Sequence, residues 1–406
     1  MKRSFIPLLI IMTMISCHEP TTSQNNTPEK GTFAYDQQFL SKHDSIVVLQ
    51  QGNAKIIVSP KYQAKVFTST AAGDSGRSFG WVNYKAFEAT PNEHMNAYGG
   101  ENRLWLGPEG GKFSLFFPPG SKMEFASWKT PPAYDNEPWD VLSKSADSIV
   151  LQKDMHLLNY AGTKLNANIR RSITILDNNG ITKTLGLTPD TTISVVGYTT
   201  HNTITNTGDT AWTETTGAPC IWLLDMFNPT PETIIVVPFD SLPGDHFEKT
   251  VTSDYFGAIP ADRLKHADSV LFLKADGKSR GKLGIRSTKS KPAAGSYDYK
   301  NHILTITIFD TDHNAKYLNQ EWSTSKPPFL GDAVNAYNDG PLADGTQMGP
   351  FFELESVSPA AFLKPNTSLT HTHSVFHFSG APRALDAIAQ QLLGASLATI
   401  SETFTK

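Results

Sequence analysis

Residues 351–378 read FFELESVSPAAFLKPNTSLTHTHSVFHF. Glu353 and Glu355 stand two positions apart, and beyond a proline-bounded stretch His371, His373 and His377 share one parity. Successive side chains of a β-strand point to opposite faces, so a period of two places such residues together. The segment therefore predicts two strands. The first carries both carboxylates on one face; the second carries the three histidines on one face and Thr372, Ser374, Phe376 and Phe378 on the other.

The same period recurs along the chain, in DSIVVLQQGNAKIIVSP (44–60), RRSITILDNNGITKTLGL (170–187), TTISVVGYTTHNTITNTGDTAW (191–212), PETIIVVPF (231–239) and HILTITIF (302–309). Gly, Asn, Asp and Pro separate these runs, as turns between strands require. LDNNGI (176–181) and TNTGDT (205–210) read as hairpin-type turns, because Asn and Gly tolerate positive φ. Helical spacing is rare. Leu385, Ile388, Leu392 and Leu393 recur at helical intervals in PRALDAIAQQLLGASLATI (382–400), with Pro382 as a starter, and YDQQFLSKH (35–43) is a lesser candidate that would cover a sheet edge. No internal repeat, linker or charge run divides 33–406. The expectation is a single all-β domain of two packed sheets with a C-terminal helix.

The N-terminus has a different character. MKRSFIPLLIIMTMISC sets Lys2 and Arg3 before an apolar run from Phe5 to Ile15, then a small residue and Cys17. Such a run is too short to span a bilayer and reads as an export signal. Ser16-Cys17 resembles the site at which bacterial lipoproteins are cleaved and acylated, giving 1–17 as a lipoprotein signal peptide and Cys17 as the lipidation point. An ordinary secretory signal cut nearby is the alternative. Residues 18–32, polar and without Phe, Trp or Tyr, would be a flexible tether. The expected location is the cell envelope, anchored to a bacterial membrane and facing the periplasm or the cell surface. Apart from Cys17, Cys220 is the sole cysteine, which excludes a disulfide framework and a cysteine-based zinc or redox centre. A net charge of -4 without a basic patch argues against nucleic acid as a partner.

Chemistry is concentrated in the loops. In HMNAYGGENRLWLGPEGG (94–111) the glycines precede a short apolar strand rather than a helix, so neither a dinucleotide nor a P-loop cradle has its context. The order Asn96, Gly99-Gly100, Arg103-Leu104-Trp105 and Pro108-Glu109-Gly110-Gly111 resembles a stretch of the galactose-mutarotase-like (aldose 1-epimerase-like) superfamily, whose members are carbohydrate-active β-supersandwiches. HNTITNTGDTAWTETTGAPCIWLLDMFNP (201–229) resembles that family's central hairpin, and NAYNDGP (335–341) followed by 349–378 resembles its C-terminal strand pair. The chain looks closest to an uncharacterised bacterial lipoprotein branch.

The resemblance implies an exported protein that binds mono- or oligosaccharide in a cleft. It implies an epimerase-like isomerase working by Glu/His acid-base chemistry. Glu355 leads ESVSP as the family's base leads its own run to proline, and Glu353 is the fallback on the same face. His201, at the head of the strand that the resemblance makes the sugar-side one, is the candidate acid, although it could equally be a strand-surface histidine; His313, in a polar loop, is its rival. Arg103 could hold a ring hydroxyl or a sugar carboxylate with its five-donor fork, or pair with Glu101 or Glu109. Trp322 and Tyr337 are candidate stacking platforms, ahead of Trp81, Trp105 and Trp139, which suit a core equally well. Asn96, Asn335, Asn338 and Asp339 could bind hydroxyls, although the last three could simply form a turn.

His371 and His373 can both reach one cation if a neighbouring carboxylate joins them. The preferred reading places them beside the sugar cleft, so no metal and no cofactor is assigned. A non-catalytic glycan-binding lipoprotein and a polysaccharide lyase or hydrolase stand as alternative functions, because fold does not fix chemistry.

Overall fold

The computed structural model describes Met1, residues 27–242 and residues 246–405. The signal segment, Cys17 and most of the expected tether lie outside the described residues. Strands pair antiparallel in three sheets. A three-stranded sheet is built from Val47–Gln51, Ala54–Ser59 and Lys65–Thr70. The ten-stranded sheet has Ser368–Ser379 near its middle, between Ile303–Phe309 and Ser194–Asn206. The six-stranded sheet runs in the order Val251–Thr252, Gly281–Arg286, Asp332–Asn338, Phe352–Val357, Cys220–Phe227, Arg103–Gly107.

The two larger sheets share one hydrophobic core. Leu104, Leu223 and Leu354 from the six-stranded sheet pack in the same cluster as Leu151, Ile169 and Ile173 from the ten-stranded one. Their partners of opposite parity on the six-stranded sheet, Arg103, Trp222, Leu224, Glu353 and Tyr337, are thereby turned to its other side. Cross-strand register aligns them: Glu353 lies opposite Tyr337 and Met226, and Glu355 opposite Asn335 and Leu224.

The C-terminal helices cover part of the outer face of the ten-stranded sheet, over the strands Thr233–Pro238, Ala293–Asp298 and Ile303–Phe309. Phe376 and Phe378 pack with Leu385, Ile388 and Leu393. The helix Pro382–Leu393 starts on Pro382 and stops at Gly394, whose φ of 71° is the left-handed cap that glycine adopts without strain. A second helix, Leu397–Glu402, starts afresh on Ser396, so the single helix expected over 382–400 is two. Near the N-terminus Thr32 caps the helix Phe33–Leu40, which packs Phe33 and Leu40 on Ile57 and Phe67 of the three-stranded sheet.

Two expected turns are corrected. LDNNGI opens a helix, Asn178–Leu185, because Asp177 accepts a hydrogen bond from the Gly180 amide and Ile181 and Leu185 find a buried face. TNTGDT does not close a hairpin either. The strand before it, Ser194–Asn206, belongs to the ten-stranded sheet, and the next strand, Cys220–Phe227, belongs to the six-stranded sheet. The strands Phe352–Val357 and Ser368–Ser379 are likewise divided between the two sheets.

Candidate functional site

A cavity of about 350 Å³ opens on the side of the six-stranded sheet that faces away from the core, within the size range of small-molecule sites, about 300–1,000 Å³. Trp105, Trp128, Trp222 and Trp322 line it together with Phe125, Phe256, Tyr337 and Phe351. Stacked rings form one wall: exposed Phe125 stacks on buried Trp128, and Trp128 stacks on half-buried Trp322 with centroids 6.0 Å apart. Gly110 allows the segment carrying Trp322 to come close, since a Cβ there would lie 2.2 Å from the Glu321 carbonyl oxygen.

The polar floor is made by alternate residues of neighbouring strands. Arg103 Nη2 donates to Glu353 Oε1 at 2.5 Å, and both side chains are buried and line the cavity. Beside them Lys282 Nζ donates to Glu355 Oε2 at 2.9 Å, as does Trp222 Nε1 at the same distance. Lys282 lies over the Trp222 ring and Arg103 over the Trp105 ring, so each cation is held by a carboxylate and an aromatic face. Arg103 Nε and Glu355 Oε1 are buried with no protein partner.

Burial disfavours the ionised form of Glu353 and raises its pKa to about 7; the Arg103 guanidinium opposes the rise and the charge of Glu355 adds to it. Glu109, also lining the cavity, is raised by burial against the opposing pull of Lys282 and of the Trp322 indole N–H. Two carboxyl groups with elevated proton affinity therefore share one aromatic cavity. A carboxyl raised to about 7, as that of Glu353 is, exchanges protons near neutral pH more readily than an ordinary carboxylate.

The histidine triplet is elsewhere. Its residues share a face as their parity dictates, but that face points into the space between the two large sheets. His373 Nε2 donates to Asp225 Oδ2 at 2.6 Å, and the Ser356 hydroxyl lies 2.8 Å from both His373 Nδ1 and His371 Nε2. These contacts are mutually consistent when Ser356 donates to His373 Nδ1 and accepts from His371 Nε2. Burial pushes His371 down to about 3, and the neighbouring His373 adds to the effect. Asp225 also accepts from Asn102 Nδ2 at 2.5 Å, and Asn102 accepts from buried Arg171. His377 lies 3.1 Å from Glu101 Oε1. The expectation that His371 and His373 border the cleft is thus corrected: a strand of the six-stranded sheet separates them from it. Among the described residues, no group of three His, Cys, Asp or Glu side chains is placed to hold a metal ion.

Of the other expected residues, Arg103, Glu353, Trp322 and Tyr337 line the cavity. Glu355 sits one layer deeper, screened by Lys282 and Trp222. Arg103 pairs with Glu353 rather than with Glu101 or Glu109. His201 is exposed beside Thr372, on the outer face of the ten-stranded sheet, because its strand is not part of the cavity-forming sheet. His313 is exposed as well and bonds the Ser290 carbonyl, away from the cavity. Asn96 is spent on Asp135. Asn335 is buried beside Tyr255, Asn338 braces the Gly277 and Ser279 backbone, and Asp339 accepts from Tyr337 and Gln347. Trp139 bonds the Ala133 carbonyl, and Trp81 packs on Phe351 behind the cavity wall. Sequence reasoning missed Lys282, Arg280, Glu109, Trp128 and Trp222 as a group. Arg280 and Lys282 did carry a signal, the alternation in SRGKLGIR, which forms a strand of the cavity sheet.

The chain belongs to a family of unknown function, DUF6786, whose model matches residues 31–404. No curated protein matches it. Among solved structures it is similar in fold to the Slr1438 protein of Synechocystis sp. PCC 6803, with a TM-score of 0.51, 13% identity, and coverage of 83% of this chain and 96% of that one. It is also similar to a galactose mutarotase-like protein of Lactobacillus casei, with a TM-score of 0.47, 11% identity and coverage of 82% and 100%. A galactose mutarotase related enzyme of Lactobacillus acidophilus gives a TM-score of 0.44, 11% identity and coverage of 83% and 98%. The likeness to the Synechocystis protein is one of fold alone, an all-β sandwich, here with C-terminal helices.

Proposed function

We propose that the cavity binds a saccharide and interconverts its anomers by proton transfer through carboxyl groups. The observation that carries this reading is the Glu353 carboxyl, brought to about 7 within a cavity walled by four tryptophans. Indole rings cover the apolar face of a pyranose, and Arg103 and Glu353 bring polar groups to the same cavity.

Mutarotation requires one group to take the proton of the anomeric hydroxyl while another protonates the ring oxygen. The ring C–O bond then breaks, the aldehyde turns, and closure on its other face returns both protons. Glu353 and Glu109 are the pair that this cavity offers, in place of the Glu355 and His201 suggested by the sequence. Arg103 holds the ionised form of Glu353, and burial holds the protonated form, so the group can serve in either direction.

The test follows freshly dissolved α-glucose and α-galactose by polarimetry and proton NMR with wild type, Glu353→Gln and Glu109→Gln. Wild-type rates above buffer that fall in both variants support the reading; a wild-type rate equal to buffer refutes catalysis of this reaction. The tight Arg103–Glu353 pair favours a second reading, a non-catalytic glycan-binding protein, because an ion-paired carboxylate gives up its base character. The N-terminal pattern of Lys2, Arg3, an apolar run and Ser16-Cys17 supports export and attachment to a membrane through lipid on Cys17.

A further inference from the structure

The cations and carboxylates of the cavity do not match one for one. Arg103 is committed to Glu353 and Lys282 to Glu355, while burial holds Glu109 toward its neutral form. Arg280, immediately before the strand Gly281–Arg286, also lines the cavity. It is exposed at the mouth, where its guanidinium carbon lies 3.7 Å from the centroid of the Phe256 ring and its donors reach the Tyr337 hydroxyl. Tyr337 in turn donates to Asp339 at 3.0 Å. Among the described residues Arg280 forms no ion pair with a carboxylate.

We propose that the ligand is an acidic saccharide, with a carboxylate or sulfate group that Arg280 receives at the mouth of the cavity. The inference rests on the saccharide reading given above and adds the class of sugar. A guanidinium held over an aromatic ring can present its remaining edge donors to a carboxylate or sulfate, which two parallel hydrogen bonds would bind. The mouth is also the place where an anion costs least to desolvate, whereas the aromatic interior suits the uncharged ring. Arg103, the residue that the sequence suggested for a sugar carboxylate, is closed to that role by Glu353.

The experiment titrates methyl α-galactopyranoside, the corresponding methyl galactopyranosiduronate and galactose 6-sulfate into wild type, Arg280→Gln and Arg280→Lys. Tryptophan fluorescence and calorimetry provide the readouts, since four tryptophans line the site. The uronate or the sulfate should bind wild type about tenfold or more tightly than the neutral glycoside, the size of one charge-assisted hydrogen-bonded pair. In Arg280→Gln that preference should fall to near unity, and in Arg280→Lys part of it should persist, with a steeper loss in added salt. Whichever anionic sugar shows the larger preference tells carboxylate from sulfate. Neutral and acidic sugars binding wild type equally, or a preference that survives Arg280→Gln, overturns the inference while the saccharide reading stands. Binding of none of the three refutes the saccharide reading itself, and this inference with it.

Discussion

Replacing Glu353 with glutamine removes a group whose protonation is coupled to folding. Its carboxyl titrates near 7 in the fold against an ordinary 4.5. A raised carboxyl adds stability that is fully present below its unfolded value and is lost as pH rises through its folded value. Between pH 7 and pH 5 that contribution grows by about 2 kcal/mol. His371 works in the opposite direction, with a folded value of about 3 against 6.5. A lowered imidazole adds stability that is present above its unfolded value and is lost as pH falls toward its folded one, which removes about 2 kcal/mol over the same interval. The two contributions nearly cancel in the wild type, so its own pH profile between these limits is flat with respect to them. Single variants expose them. Relative to wild type, Glu353→Gln should be less stable at pH 5 than at pH 7 by about 2 kcal/mol, and His371→Asn should shift by a similar amount the other way. Urea unfolding at both pH values, followed by tryptophan fluorescence, measures each difference. A wild-type-minus-variant difference that is equal at the two pH values refutes the assigned protonation of that group.

Other outcomes follow from the packing. Trp322→Ala removes the half-buried ring that stacks on Trp128 and should weaken binding of a methyl glycoside by about 0.5–1.5 kcal/mol in calorimetry. Gly110→Ala drives a Cβ into the Glu321 carbonyl and displaces the segment bearing Trp322; a cost of about 1–3 kcal/mol is expected in chemical denaturation, with reduced fluorescence change on ligand addition. Leu393→Ala leaves a hole between the C-terminal helix and the ten-stranded sheet and should cost about 2–5 kcal/mol, read from the urea midpoint. Cys17→Ser in the full-length chain, expressed in a bacterium with the lipoprotein machinery, should move the protein from the membrane pellet to the soluble fraction. Retention in the pellet would count against lipid attachment.

Local pattern carried the fold a long way. Parity in THTHSVFHF correctly grouped His371, His373 and His377, and Pro382 with the leucine spacing correctly located the C-terminal helix. Short-range chemistry was less decisive where two uses of the same residues compete. Asn178, Asn179 and Gly180 suit a tight turn, but they equally form the first turn of a helix once Asp177 caps it. The site was legible only in pieces. Arg103, Glu353, Trp322 and Tyr337 stood out as residue types, while Trp128 and Trp222 were indistinguishable from core tryptophans until their surroundings were known.

Alternation of side chains along a strand is a property of the backbone itself, so the sequence by itself determined which residues travel together on a face. Which side of the sandwich that face meets is decided by strand pairing between residues more than a hundred positions apart, such as Arg103 with Leu224 and Glu355 with Leu224. The tertiary structure alone therefore put Glu353, Arg103 and Lys282 in one cavity, turned His371 and His373 into the buried space between the two large sheets, and left His201 on the outside. The same distinction governs protonation, because the shift of Glu353 arises from burial and from neighbours that only the assembled sheet supplies.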